Sequence, residues 1–259
     1  MNDYSVRKAL LEPSLTFGTW IQIGHPGVAE ILAQVGFDWI AADCEHTDID
    51  VEGFTNLARG MYGRGPAPLV RVRENDTLAI RQVLDAGAEG VIVPLVNTAQ
   101  DAARAVAAAK YPPQGVRGFC FSRMNNYGDD FDEYVKRANE DIAVVVMIES
   151  KEAVENIDDI LATDGVDGVF IGPYDLSGAY GIAGQTDDPL VTQGCRQVVE
   201  SCRRAGKSAG LHVVLPTPQA IRKAITEGFT FIALGIDTIF VRQAAENALT
   251  IGRDAGANG

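Results

Sequence analysis

Eight short apolar, β-rich runs recur along the chain, and stretches of helical periodicity separate them. The runs are 17–23 (FGTWIQI), 38–43 (DWIAAD), 68–72 (PLVRV), 90–95 (GVIVPL), 143–149 (AVVVMIE), 167–172 (DGVFIG), 208–214 (SAGLHVV) and 229–235 (FTFIALG). A strand that is apolar on both faces must be covered on both, and parallel strands joined by helices achieve this. Amphipathic segments fit the gaps at 27–35, 76–86, 98–109, 152–162, 189–205, 217–227 and 239–252. Some carry recognisable ends: Asp76 reads as an N-cap, and Gly36 and Gly87 as stops. Val28, Ile31, Leu32 and Val35 are expected on the buried side of the first segment, with Leu78, Val83 and Leu84 on that of the second. Eight βα units in 259 residues predict one (β/α)8 TIM barrel over 1–259, with a short N-terminal arm (1–14) and a flexible tail (253–259). A doubly wound open sheet is the structural alternative.

Two stretches stand apart from the repeat. YPPQGVRGFCFSRMNNYG (111–128), followed by a short helix at 129–140, is rich in Pro, Gly and Asn. It reads either as a wall for an anionic substrate, through Arg117 and Arg123, or as a solvated loop. The last helix carries Ile239, Phe240, Val241, Ala244, Ala248, Leu249 and Ile251, enough apolar surface either to close its own barrel or to dock on a neighbour.

Lys+Arg 22 against Asp+Glu 35 leaves a net charge of −13, which argues against nucleic acid or an anionic membrane as partner. An anionic ligand would then need positive charge supplied locally, by a metal ion or an arginine. Cys44, Cys120, Cys195 and Cys202 form no CxxC pair and are expected to be reduced. The N-terminus lacks the apolar core of a signal peptide, and no segment reaches the roughly 18 apolar residues of a membrane span. A cytoplasmic protein is expected.

Catalytic groups of such barrels lie at the C-terminal ends of strands, and ionisable residues of this chain gather there. Asp43, Glu45 and His46 end one run, Arg71 sits in another, Glu149 ends a third, and Asp175 follows a fourth. Glu149 and Asp175 are hard oxygen ligands suited to Mg²⁺, Mn²⁺ or a similar ion. His46 can take a proton near neutral pH, with Asp43 or Glu45 favouring its charged form. Arg71, in an apolar run, either forks onto a carboxylate or enolate oxygen of a ligand or pairs with a strand-end acid. Backbone N–H groups in Gly172-Pro173-Tyr174-Asp175 are placed to hold a substrate carboxylate. His25 is less specific, and His212, inside a strand run, is as readily structural as catalytic. Lys110 and Lys151 lie on helical stretches, which argues against a Schiff-base mechanism.

Long motifs in order, GTW (18–20), GFDWIAADCEH (36–46), PLVRV (68–72), QVLDAGAEGVIVPLV (82–96), YPPQGVRG (111–118), MIES (147–150) and GVDGVFIGPYDLS (165–177), resemble the metal-dependent (class II) pyruvate aldolases of the HpcH/HpaI type. The resemblance implies that Glu149 and Asp175 hold Mg²⁺, Mn²⁺ or Co²⁺ and that His46 is the acid/base group, with Asp43 among the catalytic residues and Asp85 raising the basicity of His46. It implies that Arg71 stabilises an enolate, that the 173–175 backbone binds the pyruvate carboxylate, and that Trp20 of GTW lines the substrate site. The reaction implied is cleavage or formation of a 4-hydroxy-2-oxo acid, giving pyruvate and an aldehyde, in a homo-oligomer (a hexamer) that exchanges its last helix between subunits. Two positions depart from the pattern: Met147 stands where glutamine is common, and Tyr174 where alanine is common. They keep open a citrate-forming condensation or oxaloacetate decarboxylation on the same enolate. A barrel kept only for binding is a third reading, disfavoured by the complete set of ligands, base and arginine.

Overall fold

All eight runs become parallel strands, and the strands close on one another in sequence order, β1 to β8 with β8 against β1, in a computed structural model that describes residues 5–257. The strands are β1 (Thr16–Ile21), β2 (Trp39–Asp43), β3 (Ala67–Arg71), β4 (Gly90–Val93), β5 (Ala143–Ile148), β6 (Gly168–Ile171), β7 (Ser208–Val213) and β8 (Phe231–Ile236). The helices are α1 (Val6–Leu11), α2 (Pro26–Ala33), α3 (Val51–Met61), α4 (Thr77–Ala86), α5 (Ala99–Ala109), α6 (Phe131–Asp141), α7 (Lys151–Glu155), α8 (Ile157–Ala162), α9 (Pro173–Ala179), α10 (Pro189–Ala205), α11 (Pro218–Glu227) and α12 (Asp237–Ala257). Caps fix several starts: Asp76 accepts from the N–H groups of Leu78 and Ala79, and Thr98 and Asp101 cap each other reciprocally at α5. No described helix is long and apolar enough to cross a membrane.

Two apolar layers follow from the strand alternation. One lies between strands and helices; the other fills the barrel with Trp39, Leu69, Ile92, Val145, Met147, Phe170 and Phe231 among its members. Trp39 stacks on Phe231 at 4.1 Å, and Gly18 makes room for that indole, since a Cβ there would meet it at 2.0 Å. The register places Asp43 directly beside Arg71 on the last rung shared by β2 and β3. That rung marks the C-terminal mouth.

The helical pattern needs correction in places. The expected N-terminal arm contains α1, whose Val6 and Leu10 plug the barrel floor as part of its interior core. Residues 1–4 lie outside the described residues. The expected flexible tail is helical through Ala257, and 258–259 lie outside the described residues. Segment 51–61 is a helix that no end signal but Asp50 announces. The 152–162 segment is two helices, divided at Asn156. Ile31, Val35 and Leu78 are exposed. Ile31 is one helical step from the buried Leu32, Val35 lies beyond the end of α2, and Leu78 occupies the first turn of α4, so none faces the strands.

Candidate active site

At the mouth, Asp43 is fully buried and accepts a fork from Arg71, Nε to Oδ1 at 3.0 Å and Nη2 to Oδ2 at 2.8 Å. Gln22 Nε2 (3.2 Å) and the backbone N–H groups of Glu45 and His46 (3.2 Å each) donate to the same carboxylate. Burial pushes the Asp43 carboxyl up, but the Arg71 hydrogen bonds and charge outweigh it and hold the group below its ordinary range. A third guanidinium nitrogen, Nη1, lies 3.3 Å from Glu45 Oε2, and the Arg71 Cζ sits 5.0 Å above the Trp20 ring. Of the two roles open to Arg71 in the sequence, the strand-end pair is therefore formed. Its fork is occupied on one edge and turned toward Glu45 on the other.

Glu149 is buried at 6% exposure, and its Oε1 accepts from the Leu95 N–H at 2.7 Å. Burial raises its pKa, the Leu95 N–H opposes this, and the neighbouring carboxylates of Glu45 and Asp175 raise it further. Glu45 is raised as well, chiefly by burial, against the charges of Arg71 and His46. Among the described residues neither Glu149 nor Asp175 forms an ion pair with a side-chain cation. A Cβ built on Gly172 would lie 3.2 Å from Glu149 Oε2 and 3.4 Å from Asp175 Oδ2, so both carboxylates face one space that glycine leaves open. Two acids converging without a cation are an electrostatic deficit that a divalent ion would fill. Among the described residues, no group of three or more His, Cys, Asp and Glu side chains is arranged to hold a metal.

His46 is exposed, with its Nε2 3.5 Å from Glu45 Oε2. The structure gives it Glu45 as its acidic neighbour and does not bring it to Asp85. Asp85 stands near the end of α4, which runs back toward the barrel floor, and its partners are Arg117 Nη2 at 2.7 Å and Cys120 Sγ at 3.3 Å. Arg117 is itself buried, stacked between Tyr111 and Tyr134, so it holds the 111–128 loop together and does not line the mouth. Lys110 is likewise buried, donating to the carbonyls of Asn139 and Ile142. At the turn into α9, Pro173 has no N–H, so the donors on offer are those of Tyr174 and Asp175.

Trp20, Gln22, Asp43, His46, Arg71, Met147, Phe170, Gly172, Pro173, Tyr174, Asp175 and His212 line a single cavity of about 690 Å³, which continues outward between α10 and α11. Two contributors escaped the sequence reading, and the role of a third, already named at a strand exit, was read only in part. Gln22 was legible, being the next inward position after Gly18 and Trp20. Glu45, proposed only as a neighbour of His46, proves to be the second carboxylate on Arg71. Leu95 was not legible: its backbone adopts φ 54°, a left-handed conformation that no residue type there announces.

His212 projects inward from β7, and its Nε2 lies 2.9 Å from the Gly235 carbonyl oxygen. Burial pushes its pKa down to about 4, with the Arg71 charge adding to the effect. An unfolded-chain histidine titrates near 6.5, so between these values the unfolded state binds the extra proton. The stabilising contribution is complete above about 6.5 and is lost as the pH falls toward 4. His212→Gln is expected to lose less melting temperature than the wild type between pH 7 and pH 4.5; equal losses would contradict this source of acid sensitivity.

Known proteins resemble this chain in both sequence and fold. Residues 16–244 match the family model described as HpcH/HpaI aldolase/citrate lyase. The 5-keto-4-deoxy-D-glucarate aldolase of Enterobacter sp. (strain 638) is 35% identical over 240 residues, 93% of each chain. An HpcH/HpaI aldolase/citrate lyase family protein from Burkholderia cenocepacia J2315 superposes with a TM-score of 0.91 at 30% identity, covering 96% of this chain and 98% of that one. Citrate synthase SbnG superposes at 0.84 and 31% identity, covering 97% and 98%. With a family match over nearly the whole barrel and a relative of this identity, the chain belongs to the HpcH/HpaI aldolase/citrate lyase family.

Proposed function

We propose that this aldolase, a carbon–carbon lyase, cleaves or forms a 4-hydroxy-2-oxo acid through a pyruvate enolate, giving pyruvate and an aldehyde. The observation that carries the reading is the convergence of Glu149 and Asp175 on the space beside Gly172, within reach of the Arg71 guanidinium's charge. The two carboxylates would hold a divalent ion, Mg²⁺, Mn²⁺ or Co²⁺. When bound, such an ion supplies Lewis-acid polarisation of the C2 carbonyl.

The chain's own residues account for the rest. The N–H groups of Tyr174 and Asp175 receive the substrate carboxylate. In the cleavage direction His46, its Nε2 3.5 Å from Glu45 Oε2, takes the proton of the 4-hydroxyl. The C3–C4 bond then breaks, its electron pair passing to C3 and the C2 oxygen while C4 leaves as the aldehyde. Arg71, held in plane by Asp43, faces the negative charge that grows on that oxygen. A proton returned to C3 completes pyruvate. Trp20 and Met147 form the apolar wall, and Tyr174 narrows the rim.

The test is pyruvate release from a 4-hydroxy-2-oxo acid, with and without EDTA, and with Mn²⁺ added back. Full activity in chelator would defeat the metal-dependent reading. A second reading, condensation on a different electrophile to a citrate-like acid, is favoured by the SbnG likeness and by Met147 and Tyr174. Oxaloacetate and acetyl donors in the same assay would reveal it.

We also propose a homo-oligomer, a hexamer, that docks α12 on a neighbouring copy, in a protein of the cytoplasm. Residues 241–256 of α12 are exposed all round, Val241, Leu249 and Ile251 included, so the helix does not close its own barrel. Removal of 239–259 is expected to dissociate the assembly and lower activity together. Light scattering of the full-length chain at micromolar concentration checks this, and a mass near 27.7 kDa would mean a monomer and defeat it.

A further inference from the structure

Leu95 holds a backbone conformation that its own side chain does nothing to support. Its φ of 54° lies in the left-handed region, which leucine enters at a cost and which asparagine and glycine enter readily. The side chain is 63% exposed, between the buried Pro94 and Val96, so no packing of its own offsets that cost. The residues that follow supply the restraint. Asn97 accepts from Ser150 Oγ at 2.5 Å through its side chain and from Asn156 Nδ2 at 2.9 Å through its carbonyl. Its N–H and that of Thr98 donate to Asp101 Oδ2 at 3.2 and 3.0 Å. The connection from β4 to α5 is thereby pinned to the segment that leaves β5, directly after Glu149. What the strained residue delivers is its N–H, which donates to Glu149 Oε1 at 2.7 Å. Among the described residues this is the one hydrogen bond that the Glu149 side chain accepts. It occupies one carboxylate oxygen, while Oε2 faces the space beside Gly172 that Asp175 Oδ2 also faces.

Backbone strain that no local packing repays persists where the surroundings impose it, and such sites cluster around function. A glutamate side chain is flexible, and ordering it before a ligand arrives removes an entropic cost from binding. We propose that Leu95 is a positioning residue for the divalent ion: its left-handed backbone aims the N–H that fixes Glu149, and that bond sets how tightly the two carboxylates hold the ion. The identity of the side chain at 95 matters only through the conformation it permits. This rests on the metal-dependent reading above and goes beyond it, assigning part of the affinity to a backbone conformation one strand away from either ligand.

The experiment is calorimetric titration of Mn²⁺ into the metal-free full-length chain, wild type and variants at position 95. The series sets backbone against side chain. Leu95→Asn and Leu95→Gly discard the apolar side chain but tolerate the left-handed region, and they are expected to bind Mn²⁺ within about threefold of the wild type. Leu95→Val keeps an apolar side chain, but a β-branched residue resists positive φ. It is expected to weaken binding about tenfold or more, the usual loss when an outer partner of a metal ligand is displaced. The reverse order, with the valine variant binding as the wild type does and the other two losing affinity, would make Leu95 an apolar wall and overturn the assignment. Equal affinities throughout would overturn it as well. If Leu95→Val does not fold, Asn97→Ala releases the restraint on the same turn and is expected to show the same loss; unchanged affinity there overturns the assignment. A wild type that binds no Mn²⁺ would instead overturn the metal-dependent reading itself, and this assignment with it.

Discussion

Glu149→Ala and Asp175→Ala are each expected to abolish aldol turnover, by about 10³-fold or more, while leaving the barrel folded. Several kcal/mol of charge stabilisation at the reacting carbonyl would disappear with the ion, and each ~1.4 kcal/mol is a factor of ten. The fold should tolerate the loss because both carboxylates stand at strand exits and neither holds an ion pair among the described residues. Metal-free wild-type protein carries the repulsion of Glu149 against Glu45 and Asp175 inside a poorly solvated pocket. Glu149→Gln removes one of those charges and keeps an acceptor for the Leu95 N–H, so in chelator it should melt no lower than the wild type. Added Mn²⁺ should raise the wild-type melting temperature and leave that of Glu149→Gln unmoved. An undiminished shift in the variant, or turnover within tenfold of the wild type, would place the ion elsewhere.

Arg71→Lys is expected to lower kcat about 10²-fold with a much smaller change in KM, comparable with the loss of one oxyanion donor. A guanidinium spans Asp43 with two nitrogens and still directs a third toward Glu45. An ammonium is a point charge on a flexible stem; it can neutralise Asp43 or face the substrate, but it cannot do both in one plane. The substitution also weakens the grip on a fully buried carboxylate, so some stability should go with it. Steady-state kinetics separate the outcomes. A raised KM at unchanged kcat would make Arg71 an anchor for the ground state and not a partner of the enolate.

The fold was legible because barrel strands are apolar on both faces, and the eight runs admitted few other arrangements. What escaped was set by packing between elements. Segment 51–61 contains Gly53, Thr55 and Gly60, which weaken a helical pattern, and its apolar face becomes evident only where it meets α2. Tertiary contact outweighed propensity there. At the site, Asp43, Arg71, Glu149 and Asp175 were legible because charge at the end of an apolar strand has few other uses. Asp85 was placed by resemblance alone, and within this chain it belongs to Arg117 and Cys120. The left-handed Leu95 and the open space at Gly172 are backbone facts, invisible to any residue pattern.

The junction of β8 and α12 ties the last helix to the mouth of the barrel. β8 runs into α12 without a loop, and Asp237, the first residue of α12, accepts from the backbone N–H groups of Gln22 and Ile23 at 2.9 Å each. Thr238 of the same turn donates to the Gln22 side chain, which in turn donates to Asp43, the carboxylate that orients Arg71. The first turn of α12 is thus a bearing on which the guanidinium's alignment rests, while the remainder of the helix extends about 30 Å as a lever arm. Thr238, Gln22, Asp43 and Arg71 form one hydrogen-bonded series from that turn to the barrel mouth, so the seating of the helix and the alignment of the guanidinium share the same contacts.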